Sequence, residues 1–345
     1  MESWQPLGKG RRTAYVRLKS HAKDIKRHFR NASSFLVKCQ IIGPYVEKGV
    51  LRGSVCPWEI GALDTYGFTI VEDFHDTLEA IWVWSYYTKI SKNFAYKPNI
   101  QMGWKYITVN FPRFIPPSKE DEGLYDCAWL TLSGSMYEKV FADKSYRKWI
   151  EIAGDRLACY ISSIRSIRGR EYYDPWWMTA CLASAAQSLE HREWLEVAQK
   201  FVRQKVIEEQ TPFSNVEKEP RHKGPGGHDF FSSNANKALA LLCSFPSQAV
   251  ATEIVVNKFL PATAKSFVKR HADENAWNAN LATVLGKSYL LTGEEEFLCR
   301  YFSIMDELKK RDSRNSSALP RSDGYPVKES WVTSFYAYAY ASATA

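Results

Sequence analysis

The stretch YYDPWWMTACLASAA, residues 172–186, decides the fold. It opens on aromatics, an acid and a proline, then runs on in small and apolar residues. Pro175 suits the first turn of a helix, where no backbone N–H is needed. The helix that follows has no polar face, so it needs neighbours on every side. Five other stretches share this form: EDFHDTLEAIWVW from Glu72, LYDCAWLTLSGS from Leu124, GHDFFSSNANKALALL from Gly227, DENAWNANLATVLGKSYL from Asp273 and KESWVTSFYAYAYA from Lys328. The acids near their starts are Asp73, Asp126, Asp174, Asp229, Glu274 and Glu329, at spacings of 53, 48, 55, 45 and 55 residues. Each interval holds two helices and two loops, and such recurrence marks a repeat architecture.

Amphipathic segments lie between these stretches. Residues 20–40 form the first. In 145–164, Trp149, Ile152, Ala153, Arg156 and Leu157 fall at helical spacing, and in 192–207 so do Trp194, Leu195, Ala198, Phe201 and Val202. Residues 294–310 repeat the pattern, and 248–268 should kink at Pro261. The segment 99–112, rich in β-branched and aromatic residues, reads as a short helix. Small, uniformly apolar helices alternating with striped ones imply two concentric rings, because a linear solenoid needs no such inner set. Ala183, Ala238, Ala282 and Ala339 are expected to be buried in the inner ring.

With its unit-joining phrases LTGEEEFL (291–298) and FADKSYRKW (141–149), the chain resembles the (α/α)6 toroids of the six-hairpin glycosidase type over residues 19–345. That superfamily includes glycoside hydrolases, unsaturated-uronide hydrolases, polysaccharide lyases and sugar epimerases, and a related toroid serves terpenoid cyclases and prenyltransferase β-chains. The resemblance implies an all-α fold with six outer and six inner helices. No catalytic signature of a particular family is present, so it assigns no catalytic residue.

Composition narrows the classes further. Of 345 residues 45% are hydrophobic and 24% charged, enough to bury a core, and no apolar run is long enough to span a membrane. The net charge of +8 is unevenly placed. Residues 1–30 hold nine bases and two acids, while the remaining 315 hold 37 bases and 36 acids. Residues 1–18 therefore read as a basic arm before a nearly neutral body at 19–345, and deleting the arm should leave cooperative unfolding close to that of the full chain. The arm through residue 30 offers a docking patch for an acidic partner. A nucleic-acid binder would spread its charge over a groove or face, so that class is disfavoured. Seven scattered cysteines without a CxxC pair point to reduced thiols and a cytoplasmic protein. P-loop, GxGxxG, GxSxG and HExxH motifs are absent.

In a ring of parallel inner helices, all six N-termini open on one face. Acids there are favoured as caps. Capping does not call for the histidines and tryptophans beside them, whereas a sugar binds through ring stacking and hydroxyl–carboxylate bonds. The expected catalytic acids are Asp73 and Asp229, which lie on opposite inner helices, with Asp126 and Asp174 in reserve. Expected around the substrate are His75, Asp76, Trp129, Tyr173, Trp176, Trp177, His228, His271, Glu274, Trp277 and Trp331. No cofactor is expected; the alternative is a divalent ion held by Asp73 and Asp76, three apart on one helix face. The reading is a carbohydrate-active enzyme, a glycoside hydrolase first and a lyase or epimerase next, using carboxyl acid/base chemistry on an oligosaccharide or uronide. The competing readings are a terpenoid or prenyl-processing toroid and a non-enzymatic interaction scaffold.

Overall fold

The computed structural model describes residues 9–42, 51–62, 67–117, 123–164, 175–210, 213, 230–246, 248–269 and 273–344. Tyr173, Asp174, His228, Asp229 and His271 lie outside these. Six inner helices are α2 (Phe74–Ser91), α4 (Leu124–Phe141), α6 (Pro175–Leu189), α8 (Phe230–Ser244), α10 (Glu274–Thr292) and α12 (Ser330–Ser342). They alternate with outer helices α1 (Lys9–Cys39), α3 (Lys97–Phe114), α5 (Arg147–Ser163), α7 (Arg192–Val202), α9 (Ala249–Ile254) and α11 (Glu295–Arg311). Among the described residues no β-strand forms, only isolated β-bridges. Each inner helix packs on the next, and α12 packs back on α2. That last contact closes the ring, so the fold is an (α/α)6 toroid and not an open solenoid.

The inner ring is buried by its composition. Ala183, Ala238, Ala282 and Ala339 are all fully buried. Small side chains let helices on a closed ring approach from both sides, and the large residues then fill the gaps. Outer helices bury one stripe. In α5 that stripe is Ile150, Ala153, Gly154, Leu157 and Ile161, while Ile152 is 40% exposed. Of the expected stripe, Ala153 and Leu157 face the ring, while Ile152 does not and Ile150 does. The close α5–α7 approach depends on Gly154, where a Cβ would come within 2.2 Å of Trp194 Cζ2. Trp194 is fully buried there and its indole N–H donates to Asp155 at 2.8 Å. Losing such a side chain to alanine costs about 3–5 kcal/mol.

Two other expectations are corrected. The segment read as short is a full helix, α3, because Ile100, Gly103, Trp104, Ile107 and Phe111 form a continuous buried stripe. Packing of that stripe outweighs the weak helix propensity of its β-branched residues. Around Pro261 the chain does not simply kink. α9 widens into a π-helical turn at Val255–Phe259 before a last turn at Leu260–Ala262. A wider turn accommodates the ring and the missing N–H of proline.

Helix α1 starts well before residue 20, so the boundary at residue 18 falls inside it. Arg17 pairs with Asp306 of α11 at 2.7 Å and lies over the Phe302 ring. Both partners of that pair are exposed, and such pairs contribute about 0–1 kcal/mol. Removal of residues 1–18 is expected to lower the melting temperature by only a few degrees, as differential scanning calorimetry would show.

Candidate active site

A short segment after α1 ties the ring together at its N-terminal face. The Val55 N–H donates to Thr77 Oγ1 at 2.8 Å, and the Asp73 N–H donates to Ser54 Oγ at 3.1 Å. Ser330 at the start of α12 donates its N–H to Pro57 O at 2.8 Å. The segment therefore sets the starts of α2 and α12 side by side. Asp73 caps α2, with extended backbone (φ −137°, ψ 126°), and its side chain accepts from the Asp76 N–H at 3.1 Å. This is the expected capping role. It uses only one carboxylate oxygen.

His75 gathers the acids. Its Nδ1 lies 3.1 Å from Asp73 Oδ1 and 3.6 Å from Asp126 Oδ1, and its Nε2 lies 3.5 Å from Asp76 Oδ1. Asp126 stands in the first turn of the adjacent helix α4. The ring of His75 meets that of Tyr125 edge-on at 5.2 Å. His75 is still 36% accessible, Asp73 23% and Asp126 17%, so these three reach solvent, while Asp76 is buried.

The charges follow from this arrangement. Burial alone would lower the pKa of His75, but Asp73, Asp126, Asp76 and Glu79 together raise it well above the ordinary value, so the imidazole is held as a cation. Burial pushes the Asp73 carboxyl up; His75 opposes that and Asp126 adds to it. Burial, then the charge of Asp73, pushes Asp76 up to about 8. Hydrogen bonding agrees with a neutral Asp76. Ser330 Oγ has a single proton but lies within bonding distance of both Cys56 O and Asp76 Oδ2. A protonated Asp76 donating to Ser330, which donates to Cys56 O, satisfies all three. One turn further along α2, Glu79 is fully buried, and burial followed by the charge of Asp76 raises its pKa well above the usual range.

The tryptophans converge only in part. Trp129, Trp177, Trp277 and Trp331 surround Phe335 of α12, with ring centroids 5.8, 6.0, 6.4 and 6.2 Å from it. Trp129 and Trp177 are buried, whereas Trp277 and Trp331 are partly exposed. Trp331 donates its indole N–H to Glu329 at 2.7 Å. Trp176, expected beside substrate, instead packs on Phe201 of α7 and under Lys237 of α8. Consecutive residues on a helix point about 100° apart, so Trp176 and Trp177 cannot share a face. Glu274 turns away too, toward Arg311 of α11 at 3.9 Å. Glu79, Ser330 and Phe335 escaped the sequence reading. An acid inside an otherwise apolar inner helix was the available signal for Glu79, since such burial is costly.

Asp73, His75 and Asp76 each offer a ligand atom within 4.8 Å of the others, a spacing that suits a metal ion. Binding there would have to displace the proton that the surrounding carboxylates favour on the imidazole, so it would release a proton and weaken as pH falls.

No family model matches the sequence, and no curated protein matches it. Solved structures do match. The GH76A alpha-1,6-mannanase from Salegentibacter sp. HEL1_6 superposes with a TM-score of 0.66 at 10% identity, covering 93% of this chain and 99% of that one. An inactive variant of the same enzyme, with two adjacent aspartates replaced and alpha-1,6-mannotriose bound, gives 0.64 at 10% identity, with 93% and 99% covered. A second inactive variant, bound to alpha-1,6-mannotetrose, gives 0.65 at 10% identity, with 93% and 98% covered. These likenesses establish the fold.

Proposed function

We propose that this chain is a glycoside hydrolase that cleaves an oligosaccharide at the mouth of its inner helix ring. The observation that carries this reading is the meeting of Asp73 and Asp126, both accessible, at one edge of the His75 imidazolium. The structural neighbours act on alpha-1,6-linked mannose oligosaccharides, which makes these the first substrates to assay. Their inactive variants replace two adjacent aspartates. This sequence has no two adjacent aspartates anywhere. Here the pair comes from neighbouring helices instead.

Roles follow from environment. Asp73, with its pKa raised by burial, supplies the proton to the leaving oxygen from the carboxyl oxygen that the cap leaves free. Asp126, paired with the imidazolium, attacks the anomeric carbon as the glycosidic bond breaks. Water then opens the glycosyl ester, giving its proton back to Asp73 and freeing the Asp126 carboxylate. His75 positions both acids. Trp277 and Trp331 offer ring faces for sugar.

Because both carboxylate oxygens lie within 3.6 Å of one nitrogen, they are less than about 7 Å apart. Retaining enzymes hold their acids about 5–5.5 Å apart and inverting enzymes about 6.5–9.5 Å. The bound excludes most of the inverting range and admits the retaining spacing, so the pair is read as retaining. Pairing of Asp73 with Asp229, on the opposite helix, would leave room for a water and give inversion. Proton NMR of the first products from alpha-1,6-mannotetrose should show the alpha anomer; initial beta anomer would reject the Asp73–Asp126 pair.

A cytoplasmic location is part of the same proposal. Its support is that all seven cysteines are free, Cys159 and Cys299 at the surface. No helix among the described residues is long and apolar enough to cross a membrane.

A further inference from the structure

The far end of the inner ring contains a cavity of about 500 Å³, within the size range of small-molecule sites. The C-terminal parts of all six inner helices line it. We infer that this cavity is a second binding site, for a small organic anion of about monosaccharide size that carries one carboxylate or phosphate group. The inference does not depend on the reaction proposed at the mouth.

Two observations meet here. The first is positive charge. Lys89 of α2 and Lys287 of α10 both line the cavity, and among the described residues no carboxylate side chain does. Neither lysine forms an ion pair among the described residues; Lys287 is hydrogen-bonded to Tyr338, which helps hold its charge against burial. Lys89 is exposed and Lys287 half-buried, so both ammoniums stand where a ligand entering from solvent would meet them. Beyond burial itself, Lys139 and Lys92 push the Lys89 pKa down, so the neighbourhood carries surplus positive charge. The second is a wall of rings. The Lys89 ammonium lies 5.3 Å from the Tyr86 ring centre, and that of Lys287 lies 5.4 Å from the Tyr338 ring centre. Trp82 lines the same wall, edge-on to Tyr338 at 4.6 Å. Two cations set over aromatic faces suit a ligand with a charged end and an apolar or ring-shaped body.

A purely structural role makes a different forecast. Helix C-termini carry negative dipole ends, and lysines there stabilise the fold by neutralising them. In that case the lysines matter to stability and no anion binds.

Isothermal titration of the full chain separates the two. The probes are glucose 6-phosphate and glucuronate, with glucose and inorganic phosphate as partial ligands. We expect saturable binding of one or both sugar anions at one site per chain. Glucose and inorganic phosphate should bind at least tenfold more weakly. Lys287→Met and Lys89→Met should each weaken the sugar anion at least tenfold. Leu290 lines the cavity and is 44% exposed, so Leu290→Trp should block entry without touching either charge. If Lys287→Met fails to fold, Leu290→Trp and Lys89→Met decide. The inference is overturned if neither sugar anion binds at millimolar concentration, if inorganic phosphate binds as well as they do, or if binding survives Leu290→Trp and the lysine substitutions unchanged.

Discussion

Replacing Asp126 with asparagine should abolish at least about 10³-fold of the turnover of any oligosaccharide this protein cleaves, because it removes the nucleophile and leaves a neutral amide in its place. Asp73→Asn should cost about 10²–10⁴-fold through loss of the proton donor. Neither change should unfold the protein. Asparagine caps a helix about as well as aspartate, so the first turn of α2 keeps its bond to the Asp76 N–H. Asp126 is partly exposed, and the imidazolium beside it keeps Asp73 as a partner. Melting temperatures within a few degrees of the parent, together with lost turnover, would meet the expectation. Asp76→Asn offers a contrast. Its side chain is buried and bonded to Ser330, so a change there should act through positioning and cost less in rate. Normal turnover in both Asp73→Asn and Asp126→Asn would remove the mouth cluster from the chemistry.

A second large effect concerns stability in acid. His21 and His28 of α1 sandwich the Tyr340 ring of α12, at centroid distances of 4.0 and 3.9 Å. Neutral His21 donates from Nε2 to Tyr340 O at 2.8 Å. Burial lowers the His21 pKa from 6.5 to about 4, and lowers that of His28 as well. A depressed folded-state pKa means that the unfolded chain takes up the proton first. Stability from these residues is therefore complete above pH 6.5 and is lost as pH falls toward 4. For His21 alone the loss is about 3 kcal/mol, and His28 adds in the same direction. The acids at the mouth act oppositely. The Asp76 pKa, raised to about 8, makes the native state the better proton acceptor as pH falls. The comparison that isolates the sandwich is between parent and variant. His21→Gln keeps a donor for Tyr340 O without a titrating group. Urea denaturation from pH 7 to pH 4 should show the parent losing about 3 kcal/mol more than His21→Gln. Parallel curves would show that the sandwich does not control acid stability.

Much of the ring was legible from residue types. Alternation of small apolar helices with striped ones follows from how many neighbours each helix must accept, and that is a local property of composition. The cap at Asp73 was legible for the same reason, since caps are local. What failed depended on rotation or on ring order. Ile152 and Trp176 sit on correctly located helices but face the wrong way for their expected roles, because one residue turns a side chain by about 100°. Glu79 and Ser330 acquire meaning only through Asp76, and the contact of Asp76 with Ser330 spans 254 residues. Asp126, a reserve acid, is drawn toward Asp73 by His75 because α2 and α4 are ring neighbours, while Asp229 lies outside the described residues.

The central claim is that the cluster around His75 is where a sugar chain is cut. The most direct measurement is a crystal structure of Asp126→Asn soaked with alpha-1,6-mannotetrose. We predict a sugar chain at the N-terminal face of the inner ring, with its glycosidic oxygen within hydrogen-bond reach of Asp73 and an anomeric carbon facing residue 126. A sugar chain bound elsewhere, or one lying across the mouth with Asp73 and residue 126 pointing away from its linkage, would contradict it.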